Sequence, residues 1–197
     1  MKTAFQSLLL LSIFFLQALN AKAQVNYNEG LKVLNPDVGN WTKTPGRFES
    51  IDITLTPSGT HTNVDIVLEI SAQGTNLSNS SDSLEAEYKF SLPEGAVLHD
   101  AKLWMNNIPV KAAVYERNKA KMIYEGLVSR KIDPLIIYQN DDYSFEARIF
   151  PIVNPANRKL SISYLVPNTI TTKGMEMPLD LRMFQSDLMG YIPNLTI

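Results

Sequence analysis

The first residues to consider for acid–base catalysis or metal ligation in this chain are its two histidines, because imidazole titrates near neutral pH and is the commonest metal-binding side chain. His61 lies in a Gly59-Thr60-His61-Thr62 turn and reads as exposed. His99 falls on the apolar parity of Val97, His99, Ala101, Leu103 and Met105, so it reads as a partly buried histidine with a hydrogen-bond partner. No second ligand stands at ligand spacing from either, and neither is expected to be catalytic or to bind metal. Cysteine is absent, which removes thiol catalysis, thiolate zinc sites, disulfides and a lipoprotein anchor.

Oxygen ligands could instead hold a hard cation, and Asn140-Asp141-Asp142 invites that idea. It lacks the spaced ligands and trailing glutamate of a calcium loop, so it reads as a hairpin turn between Ile137 and Phe145. Glu146 and Arg148 share the polar side of a strand. They read either as a contact patch or as an exposed cross-strand ion pair worth less than about 1 kcal/mol. Trp41, Trp104 and Tyr143 are large, rigid side chains of the kind that anchor a protein partner. Trp104 has the opposite parity from Leu103 and Met105, which turns it away from the core, where a partner or the chain's own inserted helix would cover it. Trp104 and Arg148 are therefore the candidate contact residues. No catalytic, cofactor-binding or metal-binding residue is assigned.

These residues sit on runs that alternate apolar and polar side chains. Ala86, Tyr88, Phe90 and Leu92 oppose Glu85, Glu87, Lys89 and Ser91; Val64, Ile66, Leu68 and Ile70 oppose Asp65 and Glu69. Ile51, Ile53 and Leu55, then Phe145, Ala147 and Ile149, then Leu160, Ile162 and Tyr164 repeat the pattern. One apolar and one wet face per strand predicts antiparallel sheets packed as a sandwich. Turn residues separate the runs at Pro57-Ser58-Gly59, Pro93-Glu94-Gly95, Asn106-Asn107 and Asn154-Pro155-Ala156-Asn157, and the polar stretch 74–83 reads as a mobile loop. Between Ala113 and Ser129 the period changes: Ala120, Ile123, Tyr124 and Leu127 follow helical spacing, with Arg117, Lys119 and Lys121 on a solvated face. Asp133-Pro134 ends that excursion.

Lys2, the apolar run Leu8 to Leu16 and Ala21-Lys22-Ala23 read as a secretory signal peptide, expected to be cut before Gln24. Gln6, Ser7 and Gln17 leave the run too short to span a membrane, so the mature chain is not expected to be an integral membrane protein. Export without cysteine points to a bacterial envelope protein, whether periplasmic, outer-surface or secreted. The formal charge of −2, with Lys and Arg mixed among Asp and Glu, gives no footprint for nucleic acid.

The ordered set Tyr88-x-Phe90-x-Leu92-Pro93-x-Gly95-Ala96, Ala120-x-x-x-Tyr124-Glu125, Asp133-Pro134-Leu135, Phe145-x-x-Arg148-x-Phe150-Pro151-Ile152 and Ser163-Tyr164 resembles the VIT domain, the vault protein and inter-alpha-trypsin domain, over roughly 48–166. The resemblance implies a β-sandwich with a helix inserted at Ala120 and Tyr124. Relatives of this type occur in inter-alpha-trypsin inhibitor heavy chains, in vault-associated polymerases and in exported bacterial proteins, usually ahead of a von Willebrand factor A domain. The Asp-x-Ser-x-Ser loop that such a second domain would bring does not occur here.

The expected fold is mainly β, an antiparallel β-sandwich with one inserted amphipathic α-helix at about 113–129. The expected organisation is a signal peptide at 1–23, a lead-in at 24–47, the sandwich at 48–166, and a C-terminal extension or the start of a following region at 167–197. The expected function is a non-catalytic interaction or structural module whose partner is an envelope or extracellular protein, with no cofactor and no small-molecule substrate. A fragment of a longer adhesion protein with a von Willebrand domain, or an accessory domain of an envelope hydrolase, are the alternatives.

Overall fold

A period of two sorts side chains onto opposite faces of a strand, and the runs above do form strands. The computed structural model describes residues 30–38, 43–116, 135–186 and 193–197. In chain order the strands are β1 (Gly30–Leu34), β2 (Thr44–Pro45), β3 (Arg47–Ser58), β4 (His61–Ser71), β5 (Leu84–Ser91), β6 (Val97–Met105) and β7 (Ile108–Lys111). They continue as β8 (Ala113–Glu116), β9 (Leu135–Gln139), β10 (Ser144–Ile152), β11 (Arg158–Pro167), β12 (Thr169–Thr171), β13 (Gly174–Glu176) and β14 (Asn194–Thr196).

Among the described residues one sheet has the order β2-β1-β5-β10-β9-β8 and the other β14-β3-β4-β11-β6-β7. Their apolar rows face each other across a shared core. Ile51, Ile53, Val64, Ile66, Leu68, Leu160 and Ile162 come from the second sheet, and Ala86, Tyr88, Phe90, Phe145, Ala147 and Ile149 from the first. Phe48 of β3 meets Tyr88 of β5 edge to face at 5.7 Å. Tyr88 stacks on Phe90 at 5.0 Å, and Phe90 stacks on Phe145 at 5.5 Å. Burial of each such side chain contributes roughly 1.5–3 kcal/mol, which is why the inward row dictates register.

The expectation needs correction in several places. The sheets are mixed, because β8 runs parallel to β9 and β14 parallel to β3. Ala113 to Glu116, assigned to the inserted helix, form strand β8; Val114 and Tyr115 are good strand formers, and the neighbouring β9 supplies a ladder. The remainder of the expected helix, 117–129, lies outside the described residues, as do the signal peptide and Trp41. Among the described residues the helical element is the 3₁₀ turn Leu181–Phe184, capped by the Asp180 side chain.

The sheets and core also take in residues before 48 and after 166. β1 and β2 extend the first sheet, and Met183 and Phe184 are 1% exposed within the core. Phe184 packs edge to face on Phe48 at 6.4 Å. Gly30, at φ +106°, leaves room for this segment, since a Cβ there would meet the Gln185 carbonyl oxygen at 2.5 Å. The 74–83 loop, expected to be mobile, is tied by hydrogen bonds to the segments beside it. Thr75 Oγ1 donates to the Ala72 carbonyl, and Asn154 Nδ2 donates to the carbonyls of Leu77 and Ser80.

Candidate functional site

Charged side chains were expected on wet outer rows, and the register decides which of them meet. On the first sheet Arg148 lies directly opposite Glu87, and Glu146 opposite Lys89. Every guanidinium nitrogen of Arg148 is engaged: Nε donates to Glu146 at 2.8 Å, Nη1 to Glu85 at 2.7 Å and Nη2 to Glu87 at 2.8 Å. Lys43 Nζ reaches over β1 to both Glu87 oxygens, at 2.8 and 2.6 Å, and Lys89 Nζ lies 3.3 Å from Glu87 and 3.7 Å from Glu146. Three carboxylates thus face three cations.

This is not the exposed ion pair that parity implied. Glu87 is 1%, Glu85 3% and Glu146 6% exposed, so the carboxylates of this outer row are nearly as buried as the core row, while the cations that cover them, Arg148 and Lys89, keep 22% and 32% of their side chains in solvent. Buried carboxylates persist only when paired and hydrogen-bonded, and the saturation of Arg148 meets that condition. Burial alone would raise the Glu87 carboxyl, but the Lys43 hydrogen bond and the charges of Arg148 and Lys89 outweigh it and hold Glu87 below its usual range. For Arg148, burial acts to lower the pKa and is overcome by Glu85, Glu146 and Glu87, so its charge is reinforced. Its donors are committed to the fold and are not offered outward as a contact patch.

The second sheet carries a different polar cluster on its outer face. Asp65 accepts from Asn63 Nδ2 at 2.6 Å and from Ser163 Oγ at 2.5 Å, and His99 Nε2 lies 2.8 Å from Asn63 Oδ1. Serine, histidine and aspartate therefore share one surface, but not as a nucleophile and its base. Ser163 spends its proton on Asp65, and His99 engages an amide instead of the hydroxyl. Beside them Asp100 binds Lys102 at 2.8 Å and Lys111 at 3.3 Å. The Lys102 hydrogen bond is the main influence that pulls the Asp100 carboxyl down, against its burial.

His99 reaches this cluster through a register shift. Ser163 pairs with Asp100 and Tyr164 with Leu98, which leaves His99 as the extra residue of a β-bulge. The bulge overturns the expected parity: His99 is exposed, Val97 is 60% exposed, and Leu98 turns inward instead. His61 is exposed as expected, with Thr60 Oγ1 2.9 Å from its Nδ1.

Trp104 does point away from the core. It lies opposite Pro109 of β7, and Lys159 Nζ sits 5.3 Å from its ring centroid, so the neighbouring strands half-cover it. At Asn140 to Asp142, Asp141 Oδ1 accepts the backbone N–H of Tyr143 at 3.2 Å and of Ser144 at 2.9 Å. That is a turn closed by its own aspartate. Among the described residues no group of three or more His, Asp or Glu is placed to hold a metal ion, and no helix is long and apolar enough to cross a membrane.

Of the motif residues, Leu92, Ala96, Phe145, Phe150 and Tyr164 are buried. The Ala96 N–H donates to the Pro93 carbonyl at 3.0 Å. Gly95 takes φ +78° there, the position of a type II turn that favours glycine. The Tyr164 hydroxyl is enclosed in the core, where burial, assisted by the charge of Asp180, pushes its pKa up. Pro151 follows a cis peptide bond at the irregular end of β10. Ala120, Tyr124, Glu125, Asp133 and Pro134 lie outside the described residues.

Sequence reasoning missed Glu85 and Glu87 as partners of Arg148, and Lys43 as a second cation on Glu87. Parity put Glu85 and Glu87 on one side of a strand, yet nothing in the sequence says that β5 lies beside β10. The family model for the vault protein inter-alpha-trypsin domain matches residues 50–164. No curated protein matches the chain.

Proposed function

This chain belongs to the vault protein inter-alpha-trypsin (VIT) family, and on that premise we propose that it is a non-catalytic protein-interaction module exported to a bacterial cell envelope. The observation that carries the reading is that the groups able to do chemistry are tied to one another. Arg148 is saturated by three glutamates, Ser163 by Asp65 and His99 by Asn63. At the same β6–β7 edge Ile108 is 65% and Val110 40% exposed, on the opposite face of the ladder from Trp104. An edge hairpin with a half-covered aromatic on one face and exposed aliphatics on the other suits a protein partner better than a small substrate. The partner is an envelope or extracellular protein. Trp104 contacts it directly, and Arg148 acts from behind by holding its sheet together.

The test is position-specific photo-crosslinking in native envelope extract, with a photoreactive amino acid placed in turn at Trp104, Ile108, Val110 and Thr54. Discrete adducts that depend on position support an interaction module. Adducts absent from all four positions of a folded chain refute it.

A further inference from the structure

The described side chains at the sheet edges show that the edges are finished in different ways. At β7 the Ala112 N–H donates to the Ala101 carbonyl at 2.8 Å. Alternation along an antiparallel ladder then bonds Val110 and Ile108 to β6 and turns the backbone of Pro109 and Lys111 outward. Pro109 has no N–H to offer, and Lys111 is 72% exposed. Proline and lysine at such positions keep further strands away. β2 is only two residues long and includes Pro45.

β3 is twelve residues long and has no such residue between Ser50 and Thr56, and there the chain seats its own strand. β14 runs parallel, with Asn194 beside Asp52, Leu195 beside Ile53 and Thr196 beside Thr54. Asn194 Nδ2 donates to Asp52 Oδ1 at 2.9 Å. The seat is shallow: all three residues of β14 are exposed, and Leu195 keeps 52% of its surface in solvent. Short elements with few buried contacts open locally at far lower cost than the core.

We propose that the β3 edge from Asp52 to Thr54 is a strand-accepting site, and that β14 is its resident competitor. The site takes an extended segment of a partner protein, laid parallel to β3, with an amide side chain facing Asp52 and an aliphatic one beside Ile53. Main-chain hydrogen bonds supply the attachment, and the alternate side chains supply the selectivity. This rests on the reading of the chain as an interaction module.

The probe is a blocked peptide with the sequence of residues 192–197, titrated into the full chain, into Leu195→Asp and into Thr196→Pro, with backbone amide shifts read by NMR. Leu195→Asp weakens the resident strand through its side chain and Thr196→Pro through its backbone, so either folded variant serves. Removing the competitor raises apparent affinity by the fraction of open state gained, roughly tenfold or more, with shifts centred on Ile51 to Leu55. Equal binding by all three chains, no shifts at those residues in either folded variant, or a dimer formed by exchange of β14 without peptide uptake would each overturn the proposal. Cross-links at Trp104 or Ile108 that persist alongside such a failure remove this site and leave the interaction module standing.

Discussion

Arg148 Nη2 lies 2.8 Å from Glu87 Oε2 across the ladder that joins β10 to β5, and Lys43 reaches the same oxygen at 2.6 Å. An oxygen that is 1% exposed as part of its residue and shared by two cations belongs to the interior in the energetic sense, although it lies on the face turned away from the sandwich core.

Replacing Arg148 by Met leaves Glu85, Glu87 and Glu146 facing two lysines without the guanidinium that bonds all three. Stability should fall by roughly 3–5 kcal/mol, the usual cost of stranding buried charge. Arg148→Lys restores the charge but not the fork, so it should lie between the two. Urea denaturation measures both, and a midpoint unchanged in Arg148→Met would refute the network.

The pH dependence follows from the sign of the Glu87 shift. Its folded pKa is lowered from the usual 4.5, so its contribution is present above the unfolded value and is lost as pH falls through the folded one. Acid should therefore destabilise the chain below about pH 4.5. Glu87→Gln should be less stable at pH 7 and show a shallower acid limb. Parallel pH–stability curves for the two proteins would contradict this.

Phe184 tests whether residues beyond 166 belong to the domain. Phe184→Ala should cost about 3–5 kcal/mol, as for other buried aromatic truncations. A chain ending at Val166 should lose its cooperative thermal transition. An intact transition in that truncated chain would show that the 3₁₀ turn merely leans on a self-sufficient core.

Calcium tests the acidic turn. Asp141 Oδ1 already accepts two backbone N–H groups, and an ion that bound the folded state would raise the melting temperature by mass action. Millimolar calcium, about a thousand times a micromolar Kd, should leave the melting temperature where it is. A clear rise would make Asn140 to Asp142 a cation site.

Much of the sandwich was legible because alternation is local. Ile51, Ile53, Val64, Ile66, Tyr88, Phe90, Ala147 and Ile162 could be placed inside from their neighbours alone, and Pro93, Gly95 and Asn106-Asn107 marked turns by their own backbone preferences. The candidate site was legible only in part. Trp104 was read as outward and is outward. Arg148 was found, but its partners stand 61 and 63 residues away at Glu87 and Glu85.

Composition and periodicity by themselves determined a cysteine-free, mainly β chain and its inward rows, since each of these depends on side-chain type and short spacing; the family came from the likeness of its ordered motifs. Tertiary structure alone decided that β5 pairs with β10, which turns a nominally wet row of glutamates into a buried network. It decided that a bulge puts His99 outside and Leu98 inside, and that Phe184 closes the core. It also decided that β14 lies parallel on β3. These are pairings between distant segments, settled by which strands bury the most apolar surface together while leaving no carboxylate unpaired, and no local pattern encodes that choice.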